Sequence, residues 1–227
     1  MTKQASPENE ILHSIHNYNL DPLNREIYLH SHIDGGDEEG GVDYRSSIFL
    51  EKNLRYLNLL SLEPILIHMH LPGGEWQDCL GMYDALRASK AKIIILAYAK
   101  AESSSSVVLQ SADLRILMPN TNVLIHYGSF SLDAEHSKAA AAGVQWNERE
   151  CDKMVDIFTD RCMNSSICQE KHWKKMMARK HIVSQLANKC DWILTAQEAV
   201  DYGFADGILG TKKFPNMDFL KTYIKKT

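Results

Sequence analysis

The chain has 227 residues, 44% of them apolar and 24% charged, and a formal net charge of −4 at pH 7. That length supports one substantial core without requiring a second domain. The acidic balance gives no global electrostatic case for a nucleic-acid partner, and the apolar runs are interrupted well short of a membrane span.

The opening MTKQASPENE is polar, so no secretory leader is expected. Cys79, Cys151, Cys162, Cys168 and Cys190 form no CxxC pair, which favours reduced thiols and a cytoplasmic location.

Residues 1–24 have weak periodicity apart from ILHSIHNYNL and read as an N-terminal arm or docking segment. The first strand is Arg25–Ser31, followed by HIDGGDEEGGVDY, a solvated acidic loop whose carboxylate spacing is not that of a twelve-residue calcium loop. Leu50, Leu54, Leu57 and Leu60 recur at helical intervals and predict an amphipathic helix from Tyr44 to Leu60. Pro64–His70 is a second strand, LPGGEW a turn with two permissive glycines, and DCLGMYDALRAS a helix packing through Leu80, Met82, Tyr83 and Leu86. If the first two strands are neighbours, His30, His32, His68 and His70 could converge on a metal, but no acid or cysteine completes that set at comparable spacing.

A third strand, Ile93–Leu96, runs toward four consecutive serines, Ser103 to Ser106, and then an apolar segment led by Val107 and Val108. Strand, sharp turn and helix would hold one hydroxyl at the helix start. Asp113–Arg115 reads as loop before a further strand, Asn122–Ile125, which delivers His126 just ahead of a Tyr127–Gly128 turn. Ser and His thus both stand at strand ends, where α/β folds place their chemistry.

The alanine run at 139–142 precedes a long helix over 147–164, with Met154, Val155, Ile157 and Phe158 toward its apolar side. KHWKKMMARKHIVSQLA is a further helix with a solvated basic face, and Thr195–Glu198 has the spacing of a capping box. The alternating order predicts a mostly parallel α/β core. Residues 211–227, with five lysines and with Phe214, Phe219 and Tyr223, form a basic C-terminal tail.

Four ordered segments carry a resemblance. LPGG at 71–74, AYAKAESSSS at 97–106, MPNTNVLIH at 118–126 and CDWILTAQEAVDYGFADGIL at 190–209 resemble the proteolytic subunit of the Clp protease, within the crotonase-like superfamily, as a divergent and phage-type member. The likeness spans roughly 25–209, making 25–210 a ClpP-like peptidase domain. The resemblance implies an α/β fold of repeated strand–helix units with a projecting handle helix. It assigns the nucleophile to Ser103, the general base to His126, the orienting acid to Asp191, and the oxyanion donors to the backbone N–H groups of Gly74 and Ser104. Ser103 lies 29 residues after Gly74, matching the family, while Ser105 would restore the family's distance to His126, so Ser105 stands as the alternative nucleophile.

The chain departs from the family's glycines at Ala99 and Ser105 and places Glu102 beside Ser103. The resemblance further implies an ATP-dependent serine endopeptidase acting on unfolded polypeptides. It would be a homo-oligomer of seven-subunit rings stacked in pairs, joined through Ala139–Ala142 and the helix that follows, and served by a hexameric AAA+ Clp ATPase, with no cofactor, metal, nucleic acid or membrane. The alternatives are a non-catalytic or regulatory ClpP-like subunit and a crotonase-like acyl-thioester enzyme.

Overall fold

The alternating strands and helices build one eight-stranded sheet in the computed structural model, which describes residues 7–30, 41–132 and 136–226. In chain order the elements begin with α1 (Pro7–Tyr18), β1 (Leu20–Asp21), β2 (Glu26–His30), α2 (Tyr44–Leu60), β3 (Ile65–Leu71), α3 (Trp76–Arg87) and β4 (Ile93–Glu102). The middle of the chain gives α4 (Ser104–Leu109), β5 (Leu114–Leu117), β6 (Asn122–Ile125) and α5 (Ser137–Cys162). Last come α6 (Ser166–Glu170), α7 (Lys175–Lys189), β7 (Trp192–Leu194), α8 (Ala196–Asp201), β8 (Gly207–Ile208) and α9 (Met217–Ile224).

The sheet runs β1-β2-β3-β4-β5-β8, with β6 attached to β4 and β7 to β6. β1 on β2 and β7 on β6 are antiparallel, and the remaining pairings are parallel. Parallel sheets are covered on both faces, so their strands are apolar on successive residues. Ile65, Ile67, Met69, Ile93, Ile95 and Ala97 face the main core with α2, α3 and α4, while Leu66, Ile94, Leu96, Leu114 and Ile116 face a second core closed by Phe214, Leu220 and Ile224.

β4 serves two neighbours in succession. Its first part pairs with β5 from Ile94↔Leu114 to Ala97↔Leu117, and its last part pairs with β6 from Lys100↔Asn122 to Glu102↔Leu124. Between the pairs Met69↔Ala97 and Leu71↔Ala101, β4 advances four residues while β3 advances two. Ala99, at φ 52°, lies in this bulge. An alanine thus holds a left-handed backbone here, at a cost in strain.

Two sequence expectations change. Residues 113–115 are not merely loop, because Leu114 and Arg115 open β5. Asp206 accepts from both the Arg115 backbone N–H (2.8 Å) and its Nη2 (2.6 Å), fixing the strand to the β8 edge. The long helix starts at Ser137, ten residues before 147, because the alanine run is itself helical. Its first turns project: Ala139–Ala142 are exposed or half-buried, Trp146 is 47% exposed, and full burial begins at Glu150. α2, by contrast, occupies Tyr44–Leu60 as read, started by an Asp43–Ser46 capping box.

Candidate active site

Strand register assembles the site. The pair Glu102↔Leu124 sets the end of β4 beside the end of β6, and the Ser103 N–H donates to the Leu124 carbonyl across 2.8 Å. The pair Ile125↔Trp192 sets the start of β7 against the other edge of β6. One residue beyond each pairing stand Ser103, His126 and Asp191. His126 Nε2 lies 2.7 Å from Ser103 Oγ, and Nδ1 lies 2.9 Å from Asp191 Oδ1. An ionised carboxylate only accepts, so Nδ1 carries the ring proton and Nε2 is left as the acceptor facing the serine hydroxyl. The His126 side chain is 27% exposed and that of Asp191 is 59% exposed. The pair is therefore open to solvent on the Asp191 side.

Ser103 adopts φ 55° and ψ −130°, a conformation that L residues populate at a cost of about 1–3 kcal/mol. The chain around it is built to tolerate this. A Cβ at Gly73, itself at φ +111°, would come within 2.6 Å of Ser103 Cβ, so only glycine lets the turn after β3 approach the serine. Gly74, at φ +144°, is pressed against Val42: the Val42 N–H donates to Gly73 O (2.6 Å) and the Glu75 N–H to Val42 O (2.7 Å). Gly74 N–H takes no part in this pairing, and Ser104 N–H is the first of α4, a position with no intrahelical acceptor.

The four serines separate by partner. Ser105 Oγ accepts from the Glu102 N–H (2.9 Å) and lies 2.7 Å from both the Leu71 and the Glu102 carbonyl oxygens, so it sits buried in the hinge between β3 and β4. Ser106 Oγ–H donates to Ser103 O (2.6 Å). Ser103 alone of the four meets His126. Behind them, burial pushes the Cys79 thiol up to about 12, and it donates to the Ser104 carbonyl across 3.1 Å. It is a packed thiol and not a reactive one.

The acid is placed by α7, α8 and an aromatic cluster. Cys190, at φ 57°, ends α7 and turns the chain so that Asp191 faces β6. Trp192 is buried next to it, edge-on to Tyr202 and Phe204, and the Thr195–Glu198 capping box predicted from sequence starts α8 just beyond β7.

The histidine set resolves differently. Tyr28 pairs with His68 and His30 with His70 across β2 and β3. His68 stacks on Tyr28 and lies 2.9 Å from Tyr98 Oη and 3.1 Å from Glu26 Oε2. Both of its nitrogens are thus engaged. His32 and most of the acidic loop lie outside the described residues, and among the described residues no group of three or more His, Cys, Asp or Glu is placed to hold a metal.

Sequence reasoning missed two contacts at the site. One is the Val42 pairing, for which the Asp43–Ser46 capping box was an available marker. The other is the 2.8 Å bond from Trp76 Nε1–H to Glu150 on α5, between residues 74 apart in the chain.

Comparison with known proteins bears on the same segments. The Clp protease family model matches residues 39–212, which takes in all three of Ser103, His126 and Asp191. The chain belongs to the Clp protease family. It is 26% identical over 176 residues to the ATP-dependent Clp protease proteolytic subunit 2 of Pseudomonas aeruginosa, covering 77% of this chain and 80% of the relative. It is 26% identical over 193 residues to the ATP-dependent Clp protease proteolytic subunit of Bacteroides fragilis, covering 82% of this chain and 80% of that one. Among solved structures, a mutant ClpP1 from Listeria monocytogenes superposes with a TM-score of 0.63 at 16% identity, over 85% of this chain and 95% of the other, a likeness of fold. Members of this family form oligomeric chambers that work with Clp ATPases. No helix among the described residues is long and apolar enough to cross a membrane.

Proposed function

We propose that this Clp-family chain is a serine endopeptidase subunit in which Ser103 is the nucleophile, His126 the general base and Asp191 the group that orients it. The observation that carries this reading is His126 bridging Ser103 and Asp191 at 2.7 and 2.9 Å while Ser103 is held at φ 55°. Ser103 Oγ attacks the peptide carbonyl carbon as its proton passes to His126 Nε2, and Asp191 stabilises the imidazolium. The negative charge gathering on the carbonyl oxygen meets the Gly74 and Ser104 N–H groups. Collapse expels the amine with the proton from His126 and leaves an acyl ester on Ser103. Water, deprotonated by the same histidine, then hydrolyses that ester.

The oligomer in this reading is a pair of stacked seven-subunit rings in the cytoplasm, joined through the projecting α5. A hexameric AAA+ Clp ATPase feeds it unfolded polypeptide. Exposed Trp146 and Val144 on the outward part of α5 support a packing role for that helix.

The test is labelling by a fluorophosphonate probe together with cleavage of a short peptide. Wild type is expected to label and to cleave without ATP, and Ser103→Ala to do neither while still assembling. A Ser103→Ala chain that still labels refutes the assignment. Wild type that assembles but neither labels nor cleaves is a non-catalytic subunit.

A further inference from the structure

The Ser104 hydroxyl is the one buried side-chain nitrogen or oxygen among the described residues that lacks a hydrogen-bond partner. Ser104 as a whole is 6% exposed. Its neighbours in the serine run leave no hydroxyl idle: Ser103 meets His126, Ser105 meets Leu71 and Glu102, and Ser106 meets Ser103 O. A buried hydroxyl is costly to leave unpaired, and folded proteins keep few such groups outside functional sites. Alanine at this position would have the same backbone without that cost.

We propose that the Ser104 side chain is a third hydrogen-bond donor to the oxygen of the bound acyl group, acting beside the Gly74 and Ser104 N–H groups. This rests on the peptidase reading above and adds a residue to it. Ser104 N is bonded to Cα and Oγ to the adjoining Cβ, so an oxygen that accepts from this N–H lies within reach of the hydroxyl after a turn about Cα–Cβ. That turn breaks no hydrogen bond, because the resting hydroxyl makes none. Ser104 stands next to the nucleophile, its carbonyl is held from behind by the Cys79 thiol at 3.1 Å, and the Gly73 turn approaches Ser103 from across the site. The backbone that carries the hydroxyl is therefore fixed, while no hydrogen bond holds the hydroxyl in its resting position. A donor engaged only when charge develops on the substrate oxygen raises kcat and leaves KM unchanged.

The experiment compares wild type, Ser104→Ala and Ser104→Cys in the full-length protein, measuring peptide kcat and KM and the melting temperature. Removing a donor to a developing oxyanion costs on the order of a hundred- to a thousand-fold in kcat. Both variants are expected to lose about this much at unchanged KM, since a thiol is a weak donor, and Ser104→Ala is expected to melt no lower than wild type. Loss of rate with an unlowered melting temperature is the signature that a structural serine cannot produce. Ser104→Ala at the wild-type rate overturns the proposal, as does a fall in rate matched by a fall in melting temperature. Wild type that neither cleaves peptide nor labels at Ser103 refutes the peptidase reading and this inference together, whereas a labelled, active wild type with an indifferent Ser104→Ala refutes the inference alone.

Discussion

The Trp76 indole N–H donates to Glu150 Oε2 across 2.8 Å, tying the residues just after the Gly73–Gly74 turn to the first fully buried position of α5. Burial opposes ionisation of Glu150, but hydrogen bonds from Lys153 and Trp76, with the Lys153 charge, outweigh it and hold the carboxyl below its usual range. The bond joins the site to the projecting helix. Trp76→Phe removes the donor, strands one carboxylate oxygen at a cost of about 1–2 kcal/mol, and frees the turn that positions Gly74. The expected outcome is a lower melting temperature with several-fold slower fluorophosphonate labelling of Ser103. Glu150→Gln keeps an acceptor for the indole and is expected to fall between the two. Trp76→Phe at wild-type rate and stability would mean that the bond carries no weight.

Ser105 gives the complementary prediction. Its hydroxyl bridges Leu71 and the Glu102 peptide from a fully buried position, so Ser105→Ala leaves two backbone groups short of a partner and should cost about 1–3 kcal/mol. Labelling is expected to persist, because the imidazole faces Ser103. Thermal melts and labelling on the same preparation separate the two effects. Abolished labelling in a stably folded Ser105→Ala chain would return the nucleophile to Ser105.

These two cases also mark what the sequence made legible. The serine run and His126 could be read at the ends of apolar runs, but Asp191, and Ser103 among the four serines, were named only through the resemblance to a known family; that each stands one residue beyond a strand pairing emerges from the structure. α2 and the Thr195–Glu198 cap were readable because local side chains determine them. β5 was not, since Leu114–Leu117 follows an apolar helix with only a short polar break, and its strand identity comes from pairing with β4 and β8. The left-handed Ala99 and Ser103 were equally hidden, because neither residue type signals positive φ. Contacts such as Trp76–Glu150 depend on the packing of distant elements and leave no local pattern.

The outer sheet face depends on a helix beyond the family match, which ends at residue 212 while α9 begins at Met217. Leu220 and Ile224 close the second core, Lys221 Nζ lies 2.7 Å from Glu26 Oε1, and Lys225 pairs with Glu63. Leu220→Ala should cost about 2–5 kcal/mol through the cavity it leaves. Burial would raise the Glu26 carboxyl, but hydrogen bonds from His68 and Lys221 prevail and bring it from the usual 4.5 to about 2. A depressed acid contributes stability that is complete above its unfolded value and is lost as pH falls from about 4.5 toward 2. Hydrogen exchange of α9 is expected to accelerate across that window in wild type. Glu26→Gln should flatten the dependence, and an equally steep acid response in that variant would place its origin elsewhere.

His181 supplies the response nearer neutrality. Its ring stacks on Tyr202, with Nε2 3.1 Å from the Tyr202 hydroxyl, and meets the edge of Trp192, the residue after Asp191. Burial, followed by the charges of Lys171 and Lys189, lowers its pKa from the ordinary 6.5. For a base the sign runs as for a depressed acid: the unfolded chain binds the proton first, so stability is intact above about 6.5 and declines as pH falls through that value toward the folded one. The melting temperature of wild type should therefore drop between pH 7.5 and pH 5.5. His181→Gln, which cannot titrate, should lose less over that interval even if it starts from a lower value. Because Trp192 anchors the strand that presents Asp191, peptide cleavage is expected to weaken along with stability in wild type and less so in the variant. Parallel melting curves for the two proteins from pH 7.5 to pH 5.5 would remove His181 as the group responsible.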